Sequence, residues 1–308
     1  MSSLLNNIGI TARHALSAKG KVEVINIIKY LQNQKKKIFV TEKVYKIVQK
    51  ILKKNDKKAE KSEEFEESVE NNFVILTKEN IKKLDLFIFF GGDGTLLSAL
   101  HKFAPAIFSI PIFGINGGNL GFFSSVTKEN GIQALQKIFE GKYTKDKRMV
   151  AKGELLNENN SIVETIYSVN EITIHHAGIA RLRNLQVELS GEYLTTYKSD
   201  GLIIATPTGS TAYNLAAGGP IVAPQMNAFV ITALAPSGFS QRPIVLPSSK
   251  ILKISVDSSM RISIDGQKYL EITKYDKLVV TEYAESLTFL RLESERYYKN
   301  LREKLGWG

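Results

Sequence analysis

Hydrophobic positions in the first half of the chain follow two alternating patterns. Apolar residues spaced three and four apart, as from Val22 to Leu31, predict helices, whereas continuous apolar runs such as Leu84 to Phe90 predict buried strands. The predicted strands are 8–11, 37–40, 84–90 and 110–115, and the predicted helices are 22–31, 44–52, 95–103 and 128–140. Strands that alternate with helices are typical of a parallel sheet covered on both faces.

The second half has a different pattern. From about residue 149 to residue 290, short strands of alternating apolar and polar residues follow one another and are separated by turn residues. They lie at 162–169, 185–189, 201–206, 229–234, 251–256 and 261–265. This pattern predicts a β-rich domain. A final amphipathic stretch, 293–305, is predicted to be helical.

A polar segment, 141–148, separates the two patterns and marks the predicted domain boundary. We therefore expect an α/β domain at 1–144 and a β-rich domain at 145–290. The C-terminal helix, within 291–308, is expected to pack back on the first domain.

Composition supports an ordinary folded protein. The chain has 308 residues, of which 43% are hydrophobic and 23% are charged. It contains no cysteine, which excludes disulfides and thiolate zinc sites and fits a reducing cytoplasm. The first residues lack the pattern of a secretory signal, and no apolar run approaches the roughly 18–20 residues that span a bilayer. We therefore expect a cytoplasmic location and no membrane partner.

The net charge of +10 is concentrated near the N-terminus. Residues 1–62 hold 15 Lys and Arg against 4 Asp and Glu, whereas the remainder holds 26 against 27. The lysines lie on helix-like sequence, and an acidic stretch follows them directly. We interpret the basic run as a solvated helix face and expect no nucleic-acid partner. Residues 55–72 are predicted to form a surface loop.

The strongest chemical signal is the run Gly91-Gly92-Asp93-Gly94-Thr95. It follows a predicted parallel strand and opens a helix, where glycines and helix amides let phosphate approach the backbone. A carboxylate beside phosphate is suited to take a proton from a hydroxyl or to organise Mg²⁺. The alternative is a tight turn in which Asp93 serves only as the helix N-cap.

Three further clusters could contribute to a site. A second glycine-rich run, from Asn116 to Phe122, follows the next predicted strand and ends at the same edge of the sheet. In the β-rich half, the turn Thr206–Tyr213 offers hydroxyls and one aromatic ring, and Asn170-Glu171 interrupts an apolar strand. A polar hairpin and a structural polar pair are the alternatives for the last two. The glycine runs match neither the dinucleotide fingerprint nor the P-loop, so both of those classes are disfavoured.

These pieces, in this order, resemble the NAD kinase family. The resemblance extends to Asp200-Gly201, Ser240-Gln241-Arg242-Pro243 and Ser263-Ile264-Asp265-Gly266 and covers about residues 84–270. It implies a Rossmann-like phosphate-binding N-terminal domain with a parallel sheet, a β-sandwich-like, NAD-binding C-terminal domain, and a site in the cleft between them. It also implies transfer of phosphate from ATP, or from polyphosphate, to the 2′-hydroxyl of the adenosine ribose of NAD, with a divalent metal, normally Mg²⁺. Family members are homodimers or homotetramers.

The resemblance also assigns roles to residues of this chain. Asp93 would be the catalytic base or hydroxyl-orienting carboxylate. The remaining residues of the first glycine run would hold phosphate: Gly91, Gly92, Gly94 and Thr95. The residues that would bind NAD are Asn116, Asn170, Glu171, Lys198, Asp200, Thr208, Thr211, Ala212 and Tyr213. Lys198 stands where many relatives carry Arg, and lysine cannot make a bidentate fork to phosphate.

Three other functions fit parts of the pattern. A diacylglycerol-type lipid kinase shares the Gly-Gly-Asp-Gly-Thr run but would not need the turn 206–213. A non-catalytic NAD(P) sensor would gain nothing from Asp93 beside phosphate. A nucleic-acid-binding protein would use the lysine-rich segment and would show steep salt dependence. His175-His176 follows a strand and could face the cleft. Because adjacent strand residues point to opposite faces, the pair is not expected to form a metal site and is interpreted as structural or exposed.

Overall fold

The structure is a computed structural model that describes residues 5–13, 15–55, 73–117, 121–124, 126–176, 182–238, 240–292 and 296–307. The chain divides into two compact units, one formed by 1–146 with 287–308 and the other by 147–286. Of the sequence-based expectations, most of the predicted loop 55–72 and part of the second glycine run, 118–120, lie outside the described residues. Among the helices of the described part, none has the length and apolar character needed to cross a bilayer.

The strands are numbered along the chain. Those before residue 149 are β1 (Asn7–Ala12), β2 (Lys37–Val40), β3 (Phe73–Ile75), β4 (Leu86–Phe90), β5 (Ile112–Asn116), β6 (Val126–Thr127) and β7 (Thr144–Arg148). Those that follow are β8 (Ala151–Leu156), β9 (Ile162–Ser168), β10 (Glu171–His175), β11 (Arg183–Leu189), β12 (Glu192–Ser199), β13 (Gly201–Ala205), β14 (Ala228–Leu234), β15 (Ile244–Pro247), β16 (Leu252–Val256), β17 (Met260–Ile264), β18 (Lys268–Ile272), β19 (Lys277–Glu282) and β20 (Leu287–Arg291).

The helices are α1 (Ala18–Asn33), α2 (Glu42–Asn55), α3 (Asp93–Phe103), α4 (Gly131–Phe139), α5 (Tyr213–Ala216) and α6 (Arg296–Leu305). Short 3₁₀ turns lie at Ile81–Lys83, Ala106–Ser109, Lys128–Asn130 and Gly209–Thr211. The predicted helix 128–140 is therefore a 3₁₀ turn followed by α4. The predicted C-terminal helix is described from Arg296 onwards.

The first unit is built on an eight-stranded, mostly parallel sheet. Its order is β3-β2-β1-β4-β5-β20-β7, with β6 paired to β5. The pairs β1–β2, β1–β4 and β4–β5 are parallel. All five residues of β4 are buried, which explains why its sequence is a continuous apolar run. Apolar residues of the sheet pack with α1, α2 and α4 in a single core.

The second unit consists of two six-stranded antiparallel sheets. Their orders are β15-β14-β13-β10-β17-β18 and β12-β11-β16-β19-β8-β9. One hydrophobic cluster contains residues of both sheets, for example Ile174 and Phe229 from the first and Val187 and Ile254 from the second. Two sheets that share a core in this way form a β-sandwich. The predicted α/β plus β fold class is thus confirmed.

Candidate active site

The glycine loop of the first unit follows β4 at its carboxyl end. Gly91 has a φ of +149°, and a Cβ there would lie 2.5 Å from Thr95 Oγ1, so a side chain at this position would be both strained and crowded. The Gly91 N–H donates to the carbonyl of Ile115 on β5 (2.9 Å), which ties the loop to the neighbouring strand. At Gly92 and Gly94, by contrast, a Cβ would meet no atom within 4 Å. The backbone of the loop is therefore open to a close approach by a ligand such as phosphate.

Asp93 is the first residue of α3, and its carboxylate is held by the backbone. Gly92 occupies the N-cap position, so the alternative in which Asp93 is the N-cap is wrong. The N–H of Phe122 donates to Oδ2 of Asp93 (3.1 Å) and the N–H of Phe123 donates to Oδ1 (3.2 Å). Lys304 Nζ lies 4.0 Å from Oδ2. The carboxylate is thus fixed in orientation, and its side chain is still 28% exposed.

The N–H groups that bind Asp93 lie at the end of the second glycine-rich run. Asn116, at the end of β5, is buried, and the run returns at Gly121 after the undescribed residues. A Cβ at Gly121 would lie 2.0 Å from Oδ1 of Asp93, so only glycine allows the segment to approach the carboxylate. The two runs that the sequence placed at one sheet edge therefore meet at Asp93.

In the second unit, Asp265 organises the segment that contains Asn170 and Glu171. Its Oδ1 accepts hydrogen bonds from Ser168 Oγ (2.6 Å), Asn170 N–H (2.8 Å) and Glu171 N–H (3.1 Å). Its Oδ2 accepts from the N–H of Val169 (3.1 Å). In return, the N–H of Asp265 donates to the carbonyl of Glu171 (3.0 Å). One buried carboxylate therefore binds three consecutive backbone N–H groups, those of residues 169–171, and the side chain of Ser168.

The carboxyl group of Glu171 is almost completely buried. Its pKa is raised to about 8, chiefly by burial and also by the nearby Asp265 carboxylate, while a backbone hydrogen bond from Tyr213 acts to lower it. A group with this pKa is mostly protonated at neutral pH. Glu171 can then donate a hydrogen bond as well as accept one, which suits it to contact a ligand hydroxyl.

This raised pKa makes stability depend on pH. Because the pKa is higher in the folded than in the unfolded protein, the contribution of Glu171 to stability is complete below the ordinary pKa and is lost as the pH rises through about 8. The loss is at most about 1.4 kcal/mol per pH unit. Glu171→Gln keeps the side chain neutral, so we expect the melting temperature of the variant to fall less between pH 6 and pH 9 than that of the wild type. If the melting temperatures of the two proteins fell equally over that range, the raised pKa of Glu171 would be contradicted.

The turn 206–213 packs directly on the Asn170 segment. The N–H of Thr206 donates to the carbonyl of Asn170 (2.8 Å), and a Cβ at Gly209 would lie 2.0 Å from that same carbonyl oxygen. Asn214 closes the turn, because its Nδ2 donates to the carbonyl of Ser210 (3.1 Å) and its Oδ1 accepts from Thr232 (2.7 Å). The result is a rigid turn that leaves Tyr213 47% exposed.

A cavity of about 730 Å³ opens beside this turn within the second unit. Its lining residues are Glu171, Thr173, His175, His176, Asp200, Tyr213, Leu234, Ala235, Arg261, Ser263, Asp265, Gly266 and Tyr269. Three residues that the resemblance assigns to NAD are among them, namely Glu171, Asp200 and Tyr213. The cavity walls in this described part of the chain do not include Asn170, Lys198, Thr208, Thr211 or Ala212. Lys198 is an exposed residue of β12.

The sequence interpretation did not assign the cavity residues Thr173, Arg261 and Ser263 to the site. Glu171, Thr173 and His175 alternate along β10 and share one face, and the register pairs Thr173 with Ser263 and His175 with Arg261. On each of the two strands, β10 and β17, these residues are two positions apart, which is the spacing of residues on one strand face. Alternation was therefore visible in the sequence, but the pairing that joins β10 to β17 was not.

The described residues contain no group of three or more His, Cys, Asp and Glu side chains arranged to hold a metal ion. His175 and His176 are engaged locally, since Nδ1 of His175 contacts the carbonyl of His176 (2.8 Å) and Arg183 Nε donates to Nε2 of His176 (3.0 Å). Mg²⁺ is commonly held by one or two carboxylates together with substrate phosphates. Asp93 at the glycine loop fits that mode of binding.

A glycine loop at the carboxyl end of a parallel strand, with a fixed carboxylate beside it, is the arrangement that a kinase needs to hold phosphate. Comparison with known proteins specifies the family. The ATP-NAD kinase N-terminal domain family matches residues 14–143, and the ATP-NAD kinase C-terminal domain family matches residues 169–292. The chain belongs to the NAD kinase family.

Individual relatives agree with this assignment. The NAD kinase of Nitrosomonas europaea is 35% identical over 240 residues, which cover 77% of this chain and 80% of the relative. That of Protochlamydia amoebophila is 35% identical over 239 residues, covering 77% and 83%.

Solved structures show the same architecture. The structure is similar to that of yeast NADH kinase complexed with NADH, with a TM-score of 0.86, 25% identity, and coverage of 99% of this chain and 88% of that one. An NAD kinase from Archaeoglobus fulgidus in complex with ATP matches with a TM-score of 0.69 over 97% of this chain and 98% of that one. At 21% identity, the second likeness shows the fold alone.

Proposed function

We infer that this protein is an NAD kinase, an enzyme that uses ATP to phosphorylate NAD and thereby produces NADP. The observation that carries this inference is the Asp93 carboxylate, which two backbone N–H groups hold beside an open glycine loop in a chain of this family. A pure NAD(P) sensor would have no use for a carboxylate beside phosphate, because like charges repel.

In the proposed reaction, the oxygen of the 2′-hydroxyl on the adenosine ribose of NAD forms a bond to the γ-phosphorus of ATP. The bond from that phosphorus to the β–γ bridging oxygen breaks, and ADP leaves. The hydroxyl proton passes to Asp93. The backbone of Gly91, Gly92 and Gly94, together with Thr95, holds phosphate, because phosphoryl transfer depends mainly on positioning and charge neutralisation.

We propose that the first unit handles phosphate and that the second unit binds NAD. The second role is supported by the cavity, where Glu171, Asp200 and Tyr213 combine two carboxyl groups with one exposed ring. Carboxyl groups pair with ribose hydroxyls, and a ring stacks on a base. Asn116, Asn170, Lys198, Thr208, Thr211 and Ala212 remain predicted NAD contacts.

A divalent cation, Mg²⁺ in our proposal, would be held by Asp93 and by the phosphates of ATP. When bound, it neutralises the charge that develops on the transferred phosphoryl group. We also propose that the chain forms a homodimer or homotetramer, as the family resemblance implies, which light scattering after gel filtration would measure.

The proposal is tested by incubating the protein with NAD, ATP and Mg²⁺ and detecting NADP with a strictly NADP-dependent dehydrogenase. NADP formation is the expected result. Parallel reactions replace ATP with polyphosphate, NAD with NADH, and NAD with diacylglycerol. NADP from polyphosphate alone would change only the phosphoryl donor. Phosphorylation of diacylglycerol without any NADP from folded protein would overturn the proposal in favour of a lipid kinase.

Tyr213 offers a more local test of the NAD site. Stacking of a base on an aromatic ring is worth about 1–3 kcal/mol, so Tyr213→Ala is expected to weaken NAD binding about tenfold or more while kcat changes less. Titration calorimetry with NAD measures this directly. Tyr275→Ala is the matched control, since Tyr275 is an exposed tyrosine of the same unit that does not line the cavity. Equal NAD affinity in both variants would remove Tyr213 from the site.

A further inference from the structure

The backbone segment that binds Asp93 is itself bound by an arginine from the C-terminal part of the chain. Arg291, the last residue of β20, donates from Nη1 to the carbonyl of Phe123 (2.9 Å) and from Nη2 to the carbonyl of Phe122 (3.2 Å). The N–H groups of these same two residues donate to the Asp93 carboxylate. The guanidinium of Arg291 therefore binds the two carbonyl groups of this segment, and the Asp93 carboxylate binds its two N–H groups.

A single peptide group connects Arg291 with Asp93. The carbonyl of Phe122 and the N–H of Phe123 belong to the same planar peptide, which accepts from Arg291 Nη2 and donates to Asp93 Oδ1. A hydrogen bond from a charged donor polarises such a peptide and strengthens the bond that its N–H makes. The guanidinium thus orients this N–H and also makes it a better donor.

Arg291 is well fixed in this position. Its Nε pairs with Oδ2 of Asp146 at 3.1 Å, and the side chains are only 11% and 15% exposed. Its guanidinium carbon lies 4.9 Å from the ring centroid of Phe289, and that ring stacks on Phe123. The planar fork is thereby oriented by an ion pair and an aromatic contact at once, a geometry that lysine cannot reproduce.

We propose that Arg291 is a positioning residue for catalysis: it orients the Phe122–Phe123 segment so that its N–H groups hold the Asp93 carboxylate. This proposal rests on the proposed function of Asp93 as the base. Arg291 contacts Asp93 only through the backbone of the segment. Its loss is therefore expected to affect the chemical step more than the binding of NAD or ATP.

The test combines kinetics with a double-mutant cycle. Arg291→Lys keeps the charge but not the fork, and we expect kcat for NADP formation to fall about tenfold or more while the KM values for NAD and ATP stay within about twofold. In an Asp93→Asn background, the same substitution should change kcat less than about twofold, because the group that it positions is already gone. Arg302→Lys, an exposed change on α6, is the control and should leave kcat unchanged.

A purely structural role gives a different outcome. An equal loss of kcat from Arg291→Lys in both backgrounds would overturn the proposal, as would unchanged kcat in the folded variant. Should Arg291→Lys fail to fold, Asp146→Asn weakens the ion pair that orients the same guanidinium. It should cause a smaller loss of kcat that again disappears in the Asp93→Asn background.

Hydrogen exchange separates this proposal from the proposed function. In the folded protein, the amides of Phe122 and Phe123 should exchange faster in Arg291→Lys than in the wild type and unchanged in Arg302→Lys, whether or not NADP is formed. Unchanged exchange of these two amides would overturn the positioning role. Wild-type protein that makes no NADP would instead contradict the proposed function.

Discussion

Asp93→Asn is expected to lower the rate of NADP formation by about 10²–10⁴, which is the usual contribution of general acid–base catalysis. The amide of the variant cannot accept the hydroxyl proton. Its Nδ2 is a donor and would face one of the two backbone N–H donors that bind the carboxylate in the wild type. Because the Asp93–Lys304 pair is partly exposed and its atoms are 4.0 Å apart, its loss should cost little stability. The rate is measured by the dehydrogenase-coupled assay at saturating NAD and ATP.

The control for this result is Glu129→Gln, the same chemical change at an exposed carboxylate of the first unit. It should leave the rate unchanged, and both variants should bind NAD like the wild type. If Asp93→Asn retained full turnover, Asp93 could not be the base.

Asp265→Ala is expected to have the largest effect on stability. It removes the acceptor for four donors, Ser168 Oγ and the N–H groups of residues 169–171. Each buried donor left unsatisfied costs about 1–3 kcal/mol, so we expect the free energy of unfolding to fall by at least about 3 kcal/mol. Asp265 also has a φ of +49°, where alanine is strained. Urea denaturation of the wild type and the variant measures the difference.

Two variants separate the hydrogen bonds from the backbone strain. Asp265→Asn tolerates the positive φ and keeps one acceptor oxygen, so its loss of stability should be intermediate. Asp257→Ala removes an exposed aspartate of the same unit, which accepts from the N–H of Asn184 (3.1 Å) and from Ser258 Oγ (3.2 Å), and should cost less than about 1 kcal/mol because both bonds are exposed. If Asp265→Ala unfolded at the same urea concentration as Asp257→Ala, the organising role of Asp265 would be wrong.

A strand could be predicted from the sequence where its complete burial requires apolar residues throughout. β4 is buried along its whole length and reads as a continuous apolar run, so its place in a parallel sheet was predictable. β7 was not, because its sequence, Thr-Lys-Asp-Lys-Arg, has no apolar alternation and it lies at the edge of the sheet. β20 was also missed as a strand of the first sheet, since nothing local shows that Phe289 pairs with Ile112 of β5.

The candidate site was predictable where a local motif carries the chemistry. Asp93, Glu171 and Tyr213 each stand in or beside a short run with a recognisable pattern. The roles of Arg291 and Asp265 were not predictable, because their partners are distant in sequence and the contacts exist only once the sheets have formed. Ser263-Ile264-Asp265-Gly266 resembled the family, yet the sequence alone showed no reason for the carboxylate. The structure supplies that reason in the bonds to residues 168–171.

The most direct test of the central claim is ³¹P NMR of a reaction that contains the protein, NAD, ATP and Mg²⁺. The account predicts a new phosphomonoester resonance, assigned to the 2′ position of the adenosine ribose, which grows in equal amount with ADP. ADP with inorganic phosphate and no new ester would contradict it and would indicate hydrolysis of ATP. An unchanged spectrum from folded protein would contradict the assignment of kinase activity itself.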